Sequence, residues 1–153
     1  MKFSSQEEYG LRCLLRIAKV SPAEGLTIPE ISTAEGLTQA NVAKLLRILR
    51  MGGFIESSRG QTGGYKLSRK PEEIIVSQVL NALGGRLFES TFCLDHAGVD
   101  NICTHSIDCS LRSLWRAVQN AVDSVTMNLT LRDMMNSEEK VKSVVGTLIE
   151  EAG

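Results

Sequence analysis

Residues 27–67 read TIPEISTAEGLTQANVAKLLRILRMGGFIESSRGQTGGYKL, and this stretch decides the fold. Its first helix begins after Thr27, because Thr27 and Glu30 have the spacing of a helix-capping box. Gly36 can adopt the left-handed conformation that ends a helix, and Thr38 then caps a second helix. The turn between the two helices is therefore very tight. This arrangement predicts a helix-turn-helix.

Apolar and polar residues occupy different faces of the second helix, which is predicted to run to residue 51. Helical periodicity places its buried stripe at Val42, Leu45, Leu46 and Leu49. The residues off the stripe include Gln39, Asn41, Lys44, Arg47 and Arg50. In a helix-turn-helix the exposed face of the second helix enters the major groove of DNA. We therefore predict that this face contacts double-stranded DNA.

Two short strands are predicted next, at residues 54–58 and 65–67, joined by RGQTGG at 59–64. Glycines at the tip let the backbone approach a surface closely. Arg59, followed by Gly60, is placed to enter a narrow minor groove, where the electrostatic potential is most negative. An ordinary hairpin with a loose turn would have the same composition. Because a helix-turn-helix precedes it directly, we interpret this hairpin as a wing.

The net charge of −1 conceals two halves of opposite charge. Residues 1–70 contain 11 Lys and Arg against 6 Asp and Glu, a net charge of +5, whereas residues 71–153 contain 6 against 12, a net charge of −6. Residues 38–70 alone carry 7 basic side chains and 1 acidic side chain, a net charge of +6. A basic half is typical of a protein that lays one face on a polyanion. A solvated basic surface is the alternative that charge alone leaves open.

The composition of the 153 residues is that of a globular protein, with 42% hydrophobic and 23% charged residues. No apolar run approaches the roughly 18 residues that a membrane-spanning helix needs. The first residues, MKFSSQEEYG, carry charges where a secretory signal peptide needs an apolar segment. We therefore expect a cytoplasmic protein.

Further helices are predicted on both sides of the helix-turn-helix. The first covers residues 6–19, with Ser5 as its N-cap and Glu8 at the third position of a capping box. The others are predicted at 75–82, at 106–127, after the cap Thr130, and at 137–153. Residues 86–105 show no periodicity, and an ordered loop of this length usually has a function or holds a ligand.

Apolar residues on the helix at 106–127 alternate by four and three, which is typical of a coiled-coil seam. They are Ile107, Leu111, Leu114, Val118, Ala121 and Val125. A helix of this length spans roughly 33 Å, more than so small a domain needs for its own core. We predict that it packs against its twin in a homodimer. A helix buried in the chain's own core is the alternative.

The predicted architecture is mainly α-helical with a small β-hairpin. It comprises a winged helix-turn-helix DNA-binding domain at 1–83, a cysteine-containing loop at 84–105, a dimerisation helix with a following short helix at 106–136, and a helical tail at 137–153. The DNA-binding part thus precedes the long C-terminal helix that would form the dimer.

Three of the four cysteines, Cys93, Cys103 and Cys109, lie close together in the sequence with the spacing C-x9-C-x5-C. Cys13 lies among aliphatic residues and is predicted to be a small core residue. Cysteines of a cytoplasmic chain do not form a disulfide framework. Thiolates are the usual ligands of iron–sulfur clusters, whereas zinc sites favour closer pairs. The spacing alone leaves a metal site and a set of redox-active thiols as alternatives.

The segment SSRGQTGGYKL, the helix-turn-helix before it, the three cysteines and the long helix leading to TLRDM resemble the Rrf2 family of bacterial transcription regulators. The cysteines match its iron–sulfur-binding branch. The resemblance implies a winged-helix homodimer that reads a palindromic operator and senses nitric oxide, redox state or iron–sulfur status. We expect a repressor, because a protein that occupies a promoter would exclude polymerase. Carried over by position, Thr38, Ala40, Asn41 and Lys44 would face the major groove and Arg59 the minor groove.

The same resemblance implies a cluster of the 2Fe–2S or 4Fe–4S type on Cys93, Cys103 and Cys109. Some relatives add a carboxylate from the first helix of the partner subunit, and Glu8 occupies that position. Glu8 also suits the capping box of its own helix. Other nearby candidates for the fourth ligand are His105, His96 and Asp108.

Other classes of protein remain open at this point. One is a cluster-free regulator of the same family that responds to a metabolite or a protein partner. Another is an iron–sulfur electron carrier, and a third is a winged helix that contacts only proteins. The sequence has no glycine-rich nucleotide loop after a strand and no nucleophile–base pair, so we predict no catalytic residues and no enzymatic activity.

Overall fold

The computed structural model of the protein describes residues 1–20, 22–58 and 63–153. Within these residues the chain forms α-helices, two short 3-10 turns and one two-stranded antiparallel sheet. The elements are α1 (Ser5–Ala18), α2 (Ile28–Glu35), α3 (Gln39–Met51), β1 (Ile55–Ser57), β2 (Tyr65–Leu67), α4 (Val76–Leu83), α5 (Phe92–Asp95), α6 (Ser110–Thr126), α7 (Leu131–Met134) and α8 (Glu138–Ala152). The predicted fold class, mainly α with a small hairpin, is confirmed.

The capping residues predicted for α2 and α3 form the expected hydrogen bonds. The Thr27 hydroxyl accepts from the backbone N–H of Glu30 at 3.3 Å. Gly36 ends α2 in the left-handed conformation, with φ 66°. The Thr38 hydroxyl accepts from the N–H of Asn41 at 3.2 Å and starts α3. The helix-turn-helix is therefore built by the local signals that the sequence carries.

The core lies where α1, α2, α3 and α4 meet, and the stripe predicted for α3 is fully buried in it. Its largest buried residues are Leu14, Ile31, Leu45, Leu46, Leu49, Ile55, Ile74, Leu83 and Leu131. Gly10 brings α1 close to α4, because a Cβ at this position would lie 2.4 Å from Cδ2 of Leu83. The packing that supports α3 thus depends on a position that has no side chain.

The hairpin pairs Ile55 with Leu67, Glu56 with Lys66 and Ser57 with Tyr65. The strand predicted at 54–58 is shorter than expected and covers Ile55–Ser57, because the Phe54 N–H donates to the Leu49 carbonyl at the end of α3 at 3.0 Å rather than across the hairpin. Tyr65 also exchanges two backbone hydrogen bonds with Leu26, which precedes α2. The Leu26 N–H donates to the Tyr65 carbonyl at 2.9 Å, and the Tyr65 N–H donates to the Leu26 carbonyl at 2.7 Å. The base of the hairpin is therefore attached to the helix-turn-helix.

Helix α1 begins one residue earlier than predicted. Its N-cap is Ser4, whose hydroxyl accepts from the Glu7 N–H at 3.2 Å, while the Glu7 carboxylate accepts from the Ser4 N–H at 3.3 Å. The prediction of Ser5 and Glu8 as the capping box is wrong. The sequence SSQEE contains two overlapping boxes, and their local spacing is identical.

Helix α6 begins at Ser110, four residues later than predicted, and Cys109 is its N-cap. Its 17 residues span about 25 Å rather than the roughly 33 Å expected from the sequence. The short helix capped by Thr130 and the helical tail are confirmed as α7 and α8, and α8 packs on α6. Among the described residues, no helix is long and apolar enough to cross a membrane.

Candidate nucleic-acid interface and cysteine segment

The exposed side of α3 carries most of the residues predicted to contact DNA. Thr38, Gln39, Ala40, Lys44 and Arg47 are exposed, and Asn41 is half-buried at the edge of the apolar stripe. The geometry of an α-helix, at 3.6 residues per turn, places Gln39, Ala40, Ala43, Arg47 and Arg50 on one side. We call these five residues together with Lys44 the outer face of α3. The buried stripe anchors the helix, so this face is available to a partner.

The outer face of α3 is cationic. Lys44, Arg47 and Arg50 lie on it, and α3 contains no acidic residue. None of these three side chains forms an ion pair with any other residue in the part of the chain that the structure describes. By contrast, Lys66 on the hairpin is paired with Glu56 at 3.5 Å. The charges on α3 are therefore available to phosphate groups.

The predicted wing residues Arg59 and Gly60 lie outside the described residues. The return of the hairpin is described, and it contains a close approach that the sequence analysis missed. Gly64 has φ 131°, and a Cβ there would lie 3.0 Å from the backbone of Leu26. The Gly-Gly pair was the available signal, because only glycine tolerates such a conformation against another backbone segment.

A second feature missed from the sequence is an ion-pair cluster that joins α1 to the end of α2. Glu35 Oε2 accepts from Nε of Arg12 at 3.0 Å, and Glu35 Oε1 accepts from Nε of Arg16 at 2.8 Å. Burial tends to raise the pKa of Glu35, but the hydrogen bonds and charges of Arg16 and Arg12 outweigh it, so the pKa is lowered. The spacing of the two arginines, four residues apart on a helix, was the only local hint.

We use the name cysteine segment for residues 86–109. Cys93 lies in α5 and is exposed, Cys103 is half-buried, and the half-buried Cys109 accepts from the backbone N–H of Arg112 through its Sγ at 3.3 Å. No disulfide joins the four cysteines, all of which the structure describes. The segment predicted to lack structure thus contains a short helix and ends at a helix cap.

The predicted cluster ligands are not brought together in the single chain. Within residues 1–20, 22–58 and 63–153, no group of three or more His, Cys, Asp and Glu side chains lies close enough to hold a metal ion. As arranged in the single chain, Cys93, Cys103 and Cys109 do not fit an iron–sulfur cluster, and the resemblance assigns the fourth position to Glu8 of the partner subunit.

The other candidate ligands have separate surroundings. The His96 ring stacks on Phe92, with centroids 4.2 Å apart, and its Nδ1 lies 2.8 Å from the Phe92 carbonyl oxygen. His105 and Asp108 are exposed. Glu8 is also exposed and takes no part in the capping box, which uses Glu7. The competing role assigned to Glu8 from the sequence therefore does not apply.

The start of the cysteine segment is attached to α6 by a polar cluster that the sequence did not reveal. The Gln119 Oε1 accepts from the Phe88 N–H at 2.9 Å, and its Nε2 donates to Asp123 Oδ1 at 2.9 Å. Asp123 Oδ2 in turn accepts from Nη2 of Arg86 at 2.6 Å. Phe92 packs near Trp115 of α6, with ring centroids 6.4 Å apart. These contacts hold residues 86–88 and Phe92 against α6.

Cys13 is confirmed as a core residue, and it has no exposed surface. Burial raises the pKa of its thiol to about 11, with a smaller contribution from the negative charge of Glu35. The thiolate is the reactive and metal-binding form of cysteine. Cys13 is therefore chemically distinct from the three cysteines of the cysteine segment.

Comparison with known proteins agrees with this architecture. Residues 3–137 match the model of the Rrf2 family, described as iron-dependent transcriptional regulators. The chain is 32% identical to Protein rrf2 of Nitratidesulfovibrio vulgaris, over 88% of this chain and 87% of that protein. It is 27% identical to the HTH-type transcriptional regulator IscR of Escherichia coli, over 91% and 83% of the two chains.

A solved structure gives the same result. The structure of CymR, the global cysteine regulator of B. subtilis, matches with a TM-score of 0.69 and 25% identity, covering 88% of this chain and 96% of that one. The resemblance inferred from the hairpin and the cysteines is thus confirmed. The family consists of transcriptional regulators rather than enzymes, in agreement with the prediction of no catalytic site. Because the family model spans most of its length, the chain belongs to the Rrf2 family of transcriptional regulators, which implies that it binds DNA.

Proposed function

We propose that the protein is a homodimeric transcription repressor that binds a palindromic operator in double-stranded DNA. The observation that carries the proposal is the outer face of α3, which is exposed, cationic and unpaired within the described residues. Phosphate contacts supply most of the affinity for DNA, and base contacts supply the sequence preference. Lys44 and Arg47 are assigned to the first task, and Gln39, Ala40 and Asn41 to the second.

The dimer is proposed from apolar side chains at and beside the start of α6. Ile107, Leu111 and Leu114 are 97%, 56% and 51% exposed in the single chain. Large apolar side chains that are exposed and near one another in the sequence are typical of a protein–protein interface. Two copies joined along α6 would present two α3 helices, and the spacing of half-sites on DNA requires such a fixed separation.

The DNA-binding proposal is tested by selecting bound duplexes from a random library and titrating the selected duplex in rising salt. Affinity should fall steeply with salt. Lys44→Ala and Arg47→Ala should each weaken binding and lower the slope of log Kd against log salt by about one unit. Lys140→Ala and Lys142→Ala, on the exposed side of α8, are the matched controls. They should leave the affinity for the duplex and the slope against log salt unchanged. Failure to select any duplex, or an affinity that does not change with salt concentration, would refute the proposal.

A separate variant tests whether the hairpin acts as a wing. Arg59→Ala should weaken binding to every duplex, because minor-groove insertion of arginine depends on groove shape and potential rather than on base identity. Unchanged affinity in this variant would remove Arg59 from the interface while leaving α3 in place.

We further propose that the cysteine segment is the input that controls DNA binding, through an iron–sulfur cluster on Cys93, Cys103 and Cys109 with Glu8 of the partner subunit as the fourth ligand. Three thiols within one segment beside α6, none in a disulfide, support this proposal. So does the freedom of Glu8 from the capping box. The proposal requires the segment to close up relative to the single chain, where these side chains do not converge. The proposed signals are nitric oxide, redox state and iron–sulfur status.

The cluster is tested by anaerobic purification followed by visible absorption and assays of iron and sulfide. Coloured protein with iron and sulfide is expected, and the triple variant Cys93→Ser, Cys103→Ser, Cys109→Ser should be colourless. Cys13→Ala keeps all three proposed thiol ligands and is the control. Colourless, iron-free wild-type protein purified in this way would refute the cluster.

A cluster-free regulator that responds to a metabolite or a protein partner is the second candidate. It is favoured by the separation of the three cysteines and by the likeness to CymR, a global cysteine regulator. Such a protein would be colourless after anaerobic purification and would still bind its operator. An iron–sulfur electron carrier would show the opposite pattern, with colour and no DNA binding.

A further inference from the structure

Gln119 is the only buried polar side chain in the part of the chain that the structure describes, with 5% exposure. It lies on α6, yet its amide oxygen accepts from the backbone N–H of Phe88, 31 residues earlier in the chain. A buried amide without hydrogen bonds costs free energy. The Phe88 N–H therefore helps to define the position of the Gln119 side chain. Any movement of Phe88 away from α6 would leave the Gln119 amide oxygen without this hydrogen bond.

Asp123, one helical turn further along α6, joins this residue to an ion pair. It accepts from Nε2 of Gln119 at 2.9 Å with one oxygen, and from Nη2 of Arg86 at 2.6 Å with the other. The Arg86 backbone N–H also donates to Oε1 of Glu89 at 2.9 Å. We use the name latch for Arg86, Gln119 and Asp123. The latch joins the first residues of the cysteine segment to the middle of α6.

Aromatic contacts extend the latch as far as Cys93. Phe88 donates its backbone N–H to Gln119. The Phe88 ring packs against the Phe92 ring, with centroids 5.1 Å apart. Phe92 is adjacent to Cys93 in α5 and packs near Trp115 of α6. These contacts form a continuous path from Cys93 through Phe92 and Phe88 to the latch.

The rest of the cysteine segment has a different character. Val99 and Ile102 are 85% and 66% exposed, and Ile107 is 97% exposed. This part lies on the surface, so a chemical change at the cysteines can move it at little cost in buried contacts. The segment meets α6 at two places, the latch at its start and the N-cap Cys109 at its end, and of these the latch is the one built on a buried side chain.

We propose that Gln119 is a positioning residue that couples the state of the cysteine segment to α6, acting through Asp123 and Arg86. The inference rests on the proposed function, because it assumes that the cysteines regulate DNA binding and that α6 forms the dimer. When the hydrogen bonds of the latch are formed, the cysteine segment fixes the position of α6. When they are broken, α6 is free to shift. The separation of the two α3 helices, and so the affinity for a palindromic operator, follows from that placement.

The test uses Gln119→Met, which keeps the length of the side chain and removes both hydrogen bonds. Metal-free protein is compared before and after modification of its accessible thiols with N-ethylmaleimide. In the wild type the modification should change the Kd for the selected duplex by about tenfold. In Gln119→Met the unmodified protein should still bind, but the ratio of the two Kd values should fall close to one.

Trp115, the single tryptophan, supplies a second measurement. Its emission in unmodified Gln119→Met should shift to longer wavelength as Phe92 moves away, towards the spectrum of the modified wild type. Asn120→Ala, at an exposed neighbouring position on α6, is the control and should retain the wild-type ratio and spectrum. Where Gln119→Met does not fold, Arg86→Ala breaks the exposed end of the latch and should reduce the ratio in the same direction.

The outcomes separate the two proposals. A wild-type ratio in Gln119→Met would overturn the latch while leaving cysteine control of DNA binding intact. A wild-type protein that binds its duplex equally well before and after modification would refute cysteine control and the latch together. A purely structural role for Gln119 would lower stability without changing the ratio, and it too would overturn the proposal.

Discussion

At Gly10 a hydrogen atom in place of a side chain lets α1 approach α4. A methyl group there would lie 2.4 Å from Cδ2 and 2.6 Å from Cδ1 of Leu83, which is itself buried. Gly10→Ala should therefore lower the free energy of unfolding by about 1–2 kcal/mol, because the cost of overpacking exceeds the gain in helix propensity. Urea denaturation followed by circular dichroism measures this change.

Gly146 in α8 is the matched control, because no atom lies within 4 Å of a Cβ built there. Gly146→Ala should raise the free energy of unfolding by about 0.5–1 kcal/mol, since alanine loses less backbone entropy in a helix. Equal effects of the two substitutions would contradict the close contact at Gly10.

Cys13 and the cysteine segment should differ in reactivity. Because burial raises the pKa of Cys13 to about 11, almost none of its thiolate is present near neutral pH. N-ethylmaleimide should therefore modify the three thiols of the cysteine segment in native, metal-free protein and modify Cys13 only after denaturation. Intact mass measures the number of additions, and peptide mapping identifies the sites. Early modification of Cys13 would show that the core around α1 opens readily.

At the scale of elements, α1 and α2 are joined through Glu35, which binds both Arg12 and Arg16. Glu35→Gln should lower the free energy of unfolding at neutral pH by about 1–3 kcal/mol, because it replaces charge-assisted hydrogen bonds to a largely buried carboxylate. Urea titrations at several pH values measure the difference between variant and wild type.

The pH dependence of this difference follows from the lowered pKa of Glu35. A carboxyl group whose pKa is lowered on folding stabilises the protein fully above its ordinary value of 4.5, and the contribution is lost as the pH falls through the folded value. The gap between wild type and Glu35→Gln should therefore be widest near neutral pH and shrink in acid. Glu150→Gln, at an exposed position on α8, is the control. A gap that does not change with pH would contradict the assigned ion pairs.

At the scale of the whole molecule, the proposed dimer brings two DNA-binding units into register along α6. Leu111→Glu should convert the dimer to a monomer, because a buried charge without a partner is costly at an apolar interface. Sedimentation velocity measures the assembly state. Operator affinity should fall by at least about tenfold, because the two half-sites are no longer bound together.

Ser113→Glu places the same charge on the opposite side of α6 and should leave the dimer intact. Wild-type protein that sediments as a monomer at micromolar concentration would contradict the proposed interface. A dimer retained in Leu111→Glu would instead place the contact elsewhere on the chain.

Several elements were predictable because their signals lie within one helical turn. The caps at Thr27 and Thr38, the glycine at Gly36 and the buried stripe of α3 all follow from local spacing and periodicity. The start of α1 was not predictable, because Ser4 and Ser5 offer the same local box. The start of α6 was missed because Cys109 caps the helix, and cysteine is not among the residues that usually cap helices.

Some residues of the candidate site were also predictable from the sequence, and others were not. The outer face of α3 could be listed from the sequence, since an amphipathic helix leaves its polar residues outside. The latch could not, because Gln119 meets Phe88 and Asp123 meets Arg86 across 31 and 37 residues. Nor could the separation of the three cysteines be read from their spacing, which carries no information on how the intervening chain folds.

By itself the sequence determined the helix-turn-helix, the hairpin, the cationic face of α3 and the family, because these depend on interactions between near neighbours and on motifs. Only the tertiary structure decided that Glu35 binds two arginines and that Gln119 is buried beneath the cysteine segment. The physical reason is that burial and long-range hydrogen bonds depend on which surfaces the packed helices bring together.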